Sequence, residues 1–227
     1  MGRPMGPTRS RLLAWLPVVA ALLAIPILML TLDPVVARRT VPVMKTAAVE
    51  RYLDFADPLG RWPLGVGVGA LLLGLAAARR SMAWARAGVI VLAAVTLSLA
   101  VYIPKCAVRR PRPWAAAEGL TWSQTVRDWK WGLNGQAQSF PSGDVTCAAA
   151  LATACFLAAR RGRVRYLLFL IPLASTAGRI LGGKHYPSDC LAGFLLGLAV
   201  AALAWRLWPD PENRGSSSPS LSSESQG

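Results

Sequence analysis

Long uncharged runs of apolar residues, separated by short polar or basic segments, fill the chain as far as Trp205. Leu12–Leu32 has 21 residues, Trp62–Ala78 has 17 and Ala87–Pro104 has 18, each about what a helix needs to cross a bilayer. Val145–Ala159, Tyr166–Gly178 and Cys190–Trp205 are shorter. They become spans only if the polar residues at their ends are buried in protein. The pattern predicts an all-α integral membrane protein, a six-transmembrane-helix bundle over residues 1–210, with the fifth crossing the weakest. Arg3, Arg9 and Arg11 precede the first run in the manner of a signal peptide. That run is longer than the usual apolar region of about 7–15 residues, so it is read as a retained helix. Pro211–Gly227 carries seven Ser and no apolar periodicity, which predicts a disordered tail.

The tryptophans fit this layout. Trp15, Trp62, Trp84, Trp205 and Trp208 stand at run ends, where amphipathic rings favour the headgroup level. Four more lie in the long connection 105–144. There Thr121 and Gln124 have capping-box spacing, and Trp122, Val126, Trp129 and Leu133 follow on one helical face. This predicts a short interfacial helix on the membrane surface.

Charge sharpens the picture. The 227 residues carry 25 Lys+Arg against 11 Asp+Glu, a formal charge of +14, yet 54% are hydrophobic. A basic nucleic-acid binder would spread its cations over a polar surface, so no nucleic-acid partner is expected. Cations at the ends of apolar segments suit a membrane protein instead. With both termini cytoplasmic, the inner segments hold twelve cations, among them Arg79, Arg80, Arg160, Arg161, Arg163 and Arg165, and the outer segments hold thirteen. The raw count is undecided, but eight of the eleven acids are also on the outer side. Four cysteines with irregular spacing make neither a disulfide scaffold nor a zinc motif. Cys106, Cys147 and Cys190 read as small buried fillers, with a disulfide or a reactive thiol as the alternative.

Three polar clusters fall at helix ends on one side of such a bundle. Lys105-Cys-Ala-Val-Arg-Arg-Pro-Arg112-Pro113 leaves the third helix, and Pro141-Ser142-Gly143-Asp144 enters the fourth. Arg179-Ile-Leu-Gly-Gly-Lys-His185-Tyr-Pro-Ser-Asp189 joins the fifth to the sixth. The set is suited to an anion. Lys105, Arg112 and Arg179 are fixed donors, and arginine grips phosphate oxygens in pairs. Ser142 and Gly143 open a helix whose free N–H groups favour phosphate. His185 is the one histidine, and Asp189, four residues on, is placed to hold one ring nitrogen and leave the other free to attack. No acidic cluster is available for a divalent metal, so neither metal nor cofactor is expected.

These three motifs, in this order, resemble the signatures of the type-2 phosphatidic acid phosphatase superfamily, the membrane lipid phosphate phosphatases. The match runs from about Lys105 to Asp189, and the six-helix layout extends it over most of the chain. The resemblance implies metal-independent hydrolysis through a phosphohistidine on His185 oriented by Asp189, with Lys105, Arg112, Ser142, Gly143 and Arg179 binding the phosphate. It implies a lipid phosphate as partner, a pocket on the non-cytoplasmic face and a cell-membrane location. Two positions depart from the family. Gly178 replaces a serine, removing a hydroxyl donor, and Asp144 stands where the family has a histidine that protonates the leaving group. A protonated Asp144 would still serve as acid; an ionised one would not. A phosphomonoester must expel an alkoxide and needs that proton, whereas a diphosphate expels a phosphate whose second pKa is about 6. The expected substrate is therefore a lipid diphosphate, polyprenyl diphosphate first and phosphatidic acid-type lipids next. The rival readings are a lipid phosphotransferase using the same intermediate and a catalytically impaired lipid-phosphate binder.

Overall fold

The computed structural model describes residues 7–159 and 162–208, with side chains from residue 19 onward, and every regular element among them is helical. The Ser-rich tail and the Arg160–Arg161 pair lie outside the described residues. Eleven α-helices are joined by 3₁₀ turns: α1 (Pro7–Leu30), α2 (Leu32–Thr40), α3 (Ala47–Gly60), α4 (Trp62–Arg79), α5 (Met82–Ser98), α6 (Tyr102–Val108), α7 (Pro113–Ala117), α8 (Trp122–Arg127), α9 (Gly143–Ala158), α10 (Leu170–Leu181) and α11 (Pro187–Leu207).

Four stretches are long and apolar enough to cross a membrane: Trp62–Arg79, Met82–Ala117, Arg163–Leu181 and Pro187–Leu207. The bent pair Val19–Leu30 and Leu32–Val43, with a 55° angle at the break, makes a fifth if counted as one span. The fold is thus a helical bundle with four or five candidate spans. The expected fifth crossing is long enough once its 3₁₀ entry is included. The expected fourth, α9, is the short one at 16 residues. It is too short to count among the candidate spans, and every residue from Val145 to Ala154 is buried. It packs against α5, α10, α11 and α3 at the centre of the bundle.

Small residues set the packing. Gly193 and Gly197 share one face of α11, where an added Cβ would lie 2.4 Å from the Ser142 carbonyl oxygen and 2.5 Å from that of Thr146. Gly65 and Gly69 do the same on α4, against Val95 and Leu92 of α5. Small residues four apart let helix backbones approach where lipid offers no hydrophobic drive to associate. The core between these pairs is Ile90, Val91, Ala94, Val95, Ala150, Leu151, Ala154 and Ala201.

The connection between the first two apolar runs contains α2 and α3, and α3 packs on α10 and α9. The long connection after α6 follows the predicted capping box: Gln124 N–H donates to Thr121 Oγ1 and Thr121 N–H to Gln124 Oε1. The helix is shorter than expected, however. Asp128 accepts from Lys130 N–H at 3.0 Å and starts a 3₁₀ turn, so Trp129 and Leu133 leave the helix. A short polar side chain competing for backbone N–H groups ends a helix this way. Trp122, Val126, Trp129 and Leu133 are all exposed.

Candidate functional site

Backbone hydrogen bonds knit the three motifs together. Ser139 N–H donates to the Arg110 carbonyl at 3.0 Å, Ser142 N–H to the Asp189 carbonyl at 3.0 Å, and Trp114 N–H to the Gly183 carbonyl at 3.3 Å. His185 arrives through a tight turn after α10. Lys184 and His185 N–H groups both donate to the Arg179 carbonyl, and Gly183 has φ +62°. Only glycine takes that conformation cheaply. A Cβ there would also lie 2.9 Å from Met44 Sδ.

Five of the site residues expected from the sequence, Lys105, Arg112, Gly143, Asp144 and His185, line a cavity of 130 Å³, whereas Ser142, Arg179 and Asp189 lie outside its lining. Gly60, Trp62, Ser98, Leu99, Val101, Tyr102, Gln138 and Cys147 complete the wall. Lys105 is buried and donates to the Gln138 carbonyl at 2.9 Å. A Cβ on Gly143 would lie 3.4 Å from Lys105 Cε, so the glycine keeps that approach open. Arg179 meets Asp144 at 3.2 Å and Asp57 at 3.1 Å. Arg112 Nε and Ser142 Oγ are buried without a hydrogen-bond partner, and Arg179 Nη2 has only its ion contact with Asp57, an arrangement that costs free energy unless a further acceptor arrives. Larger hollows, 520 Å³ between α2 and α7 and 770 Å³ between α1 and α11, are mostly apolar and hold none of these residues.

His185 is buried, and its Nδ1 lies 2.6 Å from the Ser139 carbonyl oxygen. A carbonyl only accepts, so Nδ1 carries the proton and Nε2 the lone pair. Desolvation by burial, against the opposing effect of Asp189, pushes the imidazole down to about 4. The ring is therefore neutral at physiological pH. Asp189 lies 3.9 Å from Nδ1. Its closer bonds are from Ser139 Oγ, Tyr186 N–H at 2.8 Å and Arg110 Nη1 at 2.6 Å. The carboxylate thus holds the segment whose carbonyl takes the ring N–H.

Four residues that the sequence did not single out complete the site. Ser139 supplies that carbonyl. Arg110 bridges Asp189 and Asp33, giving 2.8 Å to Asp33 Oδ2. Asp33 of α2 also accepts from the Ser188 N–H and hydroxyl. Asp57 of α3 accepts from Lys184 Nζ at 2.9 Å and pairs with Arg179. Partial burial raises the Asp57 carboxyl, but the Lys184 hydrogen bond and the charges of Arg179, Lys184 and Arg61 outweigh it and hold it below the ordinary value. Gly178 faces α3: a Cβ would lie 2.9 Å from Ala56 Cβ, so α3 occupies the room a serine would need. All four cysteines are free, with Cys147 and Cys190 buried.

Fold and site together define an all-helical membrane protein with a cationic, phosphate-sized cavity beside a neutral histidine. The family model of the PAP2 superfamily matches residues 67–212, and the chain belongs to that superfamily. No curated protein and no solved structure matches it. Membership, together with the apolar helices, supports a membrane phosphatase acting on lipid phosphates, and so a hydrolase. Asp33 and Asp57 lie before the matched region.

Proposed function

We propose that the protein is a six-span, metal-independent lipid phosphatase that favours polyprenyl diphosphate and works through a phosphohistidine on His185. The observation that carries the reading is the state of that histidine. It is neutral, its Nδ1 proton is committed to the Ser139 carbonyl, and it lines the same cavity as Lys105 and Arg112. Such a nitrogen is a competent nucleophile at neutral pH. Lys105, Arg112, Arg179, Ser142 and the N-terminus of α9 at Gly143 hold the transferred phosphoryl group and spread its charge, the main protein contribution to phosphoryl transfer. Asp189 is a positioning residue acting through Ser139 and the Tyr186 backbone.

Asp144 supports the diphosphate preference. Its carboxylate oxygen is paired with Arg179 at 3.2 Å, which suits an acceptor and not a proton donor. Without a donor, a phosphate leaving group departs far more readily than an alkoxide. The cavity is proposed to open on the non-cytoplasmic side, with both termini cytoplasmic, α9 counted as the fourth span and the Trp122–Leu133 surface lying on the membrane.

Phosphate release from detergent-purified protein tests this. A polyprenyl diphosphate should turn over faster than phosphatidic acid, and His185→Ala should abolish both activities while the protein stays folded. A preference for phosphatidic acid would refute the substrate assignment. Retained turnover in the variant would refute the nucleophile.

A further inference from the structure

Two cations beside the cavity have no place in the phosphoryl cage. Lys184 immediately precedes His185, and Arg61 stands between Gly60 and Trp62, both of which line the cavity. Asp57 draws them together. It accepts from Lys184 Nζ at 2.9 Å, lies 3.5 Å from Arg61 Nη2, and meets Arg179 of the cage at 3.1 Å. The side chains of Arg61 and Lys184 remain 61% and 30% exposed, so their donors are open to a further partner.

We infer that Lys184 and Arg61, gathered by Asp57 at the rim of the cavity, form a second anion subsite that holds the leaving phosphate of a diphosphate headgroup. The inference rests on the diphosphate reading above and gives it a physical basis.

Charge supports the assignment. Among the described residues, Arg179 pairs with Asp144 and Asp57, and Lys184 and Arg61 pair with Asp57, so two carboxylates stand against these three cations and the neighbouring Lys105 and Arg112. The Asp33–Arg110–Asp189 trio is closed on itself behind His185. A phosphomonoester carries about −1.5 to −2 at pH 7 and is served by the three cage cations, while a diphosphate carries more charge over a longer headgroup. Helix α4, 18 residues long, begins at Trp62 on the cavity wall, and its positive end adds to the same rim.

The chemistry needs such a subsite. The Nε2 lone pair attacks the terminal phosphorus, and the bond from that phosphorus to the bridging oxygen breaks. The bond's electron pair passes to that oxygen, which leaves as part of a lipid monophosphate without taking a proton. Water then bonds to the phosphorus, the N–P pair returns to Nε2, and dihydrogen phosphate departs. Negative charge grows on the bridging oxygen where Asp144 donates nothing, so fixed cations supply the stabilisation.

The test uses full-length protein in detergent, with Lys184→Gln, Arg61→Gln and Lys184→Arg. Each Gln variant should lower the ratio of kcat/KM for polyprenyl diphosphate over phosphatidic acid by roughly five- to tenfold, the net worth of one partly exposed hydrogen bond. Lys184→Arg should retain most of the ratio. Inorganic pyrophosphate should inhibit the wild type more strongly than orthophosphate, and the Gln variants should narrow that gap. An unchanged ratio, or equal loss on both lipids as from a mere latch on the His185 turn, overturns the subsite. If the wild type does not favour the lipid diphosphate but the pyrophosphate gap exists and narrows, the substrate reading fails and the subsite stands. Pyrophosphate binding no tighter than orthophosphate removes the subsite whichever lipid is preferred.

Discussion

His185 is a histidine kept neutral by its surroundings, and this has a consequence for stability. Its folded value of about 4 lies below the ordinary 6.5 of an unfolded chain. Between those values the unfolded state binds more protons, so this group makes stability fall as the pH drops from 6.5 toward 4. A thermal-melting series across that window should show the slope, and His185→Gln should flatten it. The acid limb of kcat/KM should likewise sit well below 6.5; a limb at 6.5 would mean the free enzyme's imidazole is not desolvated. Asp33 gives a second prediction at this scale. It is buried and holds Arg110 and Ser188, so Asp33→Ala should cost roughly 2–3 kcal/mol of stability, checked by detergent-phase unfolding. It should also lower kcat more than it raises KM, because it acts on Asp189 and the His185 segment and not on bound phosphate. The cage and His185 were legible in the sequence because three motifs announced them. Asp33, Asp57, Arg110 and Ser139 were not. Their partners are up to 155 residues away, and a lone acid in a polar connection carries no spacing that points to a distant arginine.

Among the elements, the runs placed α4, α5, α10 and α11 well, since unbroken apolarity is the signal a bilayer imposes. They misjudged what lay between. Leu12–Leu32 reads as one span, but α1 stops at Leu30 and the chain turns by 55° into α2, whose Asp33 is drawn inward by Arg110. Helix α3 was hidden by Glu50, Asp54 and Asp57, which make its sequence look like loop although its apolar side packs on α10. The glycines offer a test of the packing. Gly197→Leu should destabilise by about 1–3 kcal/mol, because the Thr146 carbonyl and Ala149 leave no room. Gly74→Ala on α4 meets nothing within 4 Å and should melt like the wild type. Equal behaviour of the two would argue against the close contact of α9 and α11.

Across the whole molecule, the excess of positive charge separates into groups with different surroundings. Lys105 and Arg112 line the cavity and Arg179 pairs with Asp144 on its wall, Arg110 is consumed by Asp33 and Asp189, and Lys184 and Arg61 are gathered by Asp57. The PAP2 match accounts for residues 67–212, while α2 and α3 bring carboxylates from before that region to brace the same site. Removing residues 1–45, which takes away α2 and Asp33 but leaves Asp57, should therefore abolish activity even though every motif is retained; a truncated protein with wild-type turnover would show that the α2 brace is dispensable. The central claim is the covalent intermediate, and it is reached most directly by rapid acid-free quenching of a reaction with polyprenyl diphosphate radiolabelled in its terminal phosphate. The account predicts label on the protein that is acid-labile, alkali-stable, confined to the His185 peptide and absent in His185→Ala. Label that persists in that variant, or turnover with no phosphoenzyme on the wild type, would contradict it.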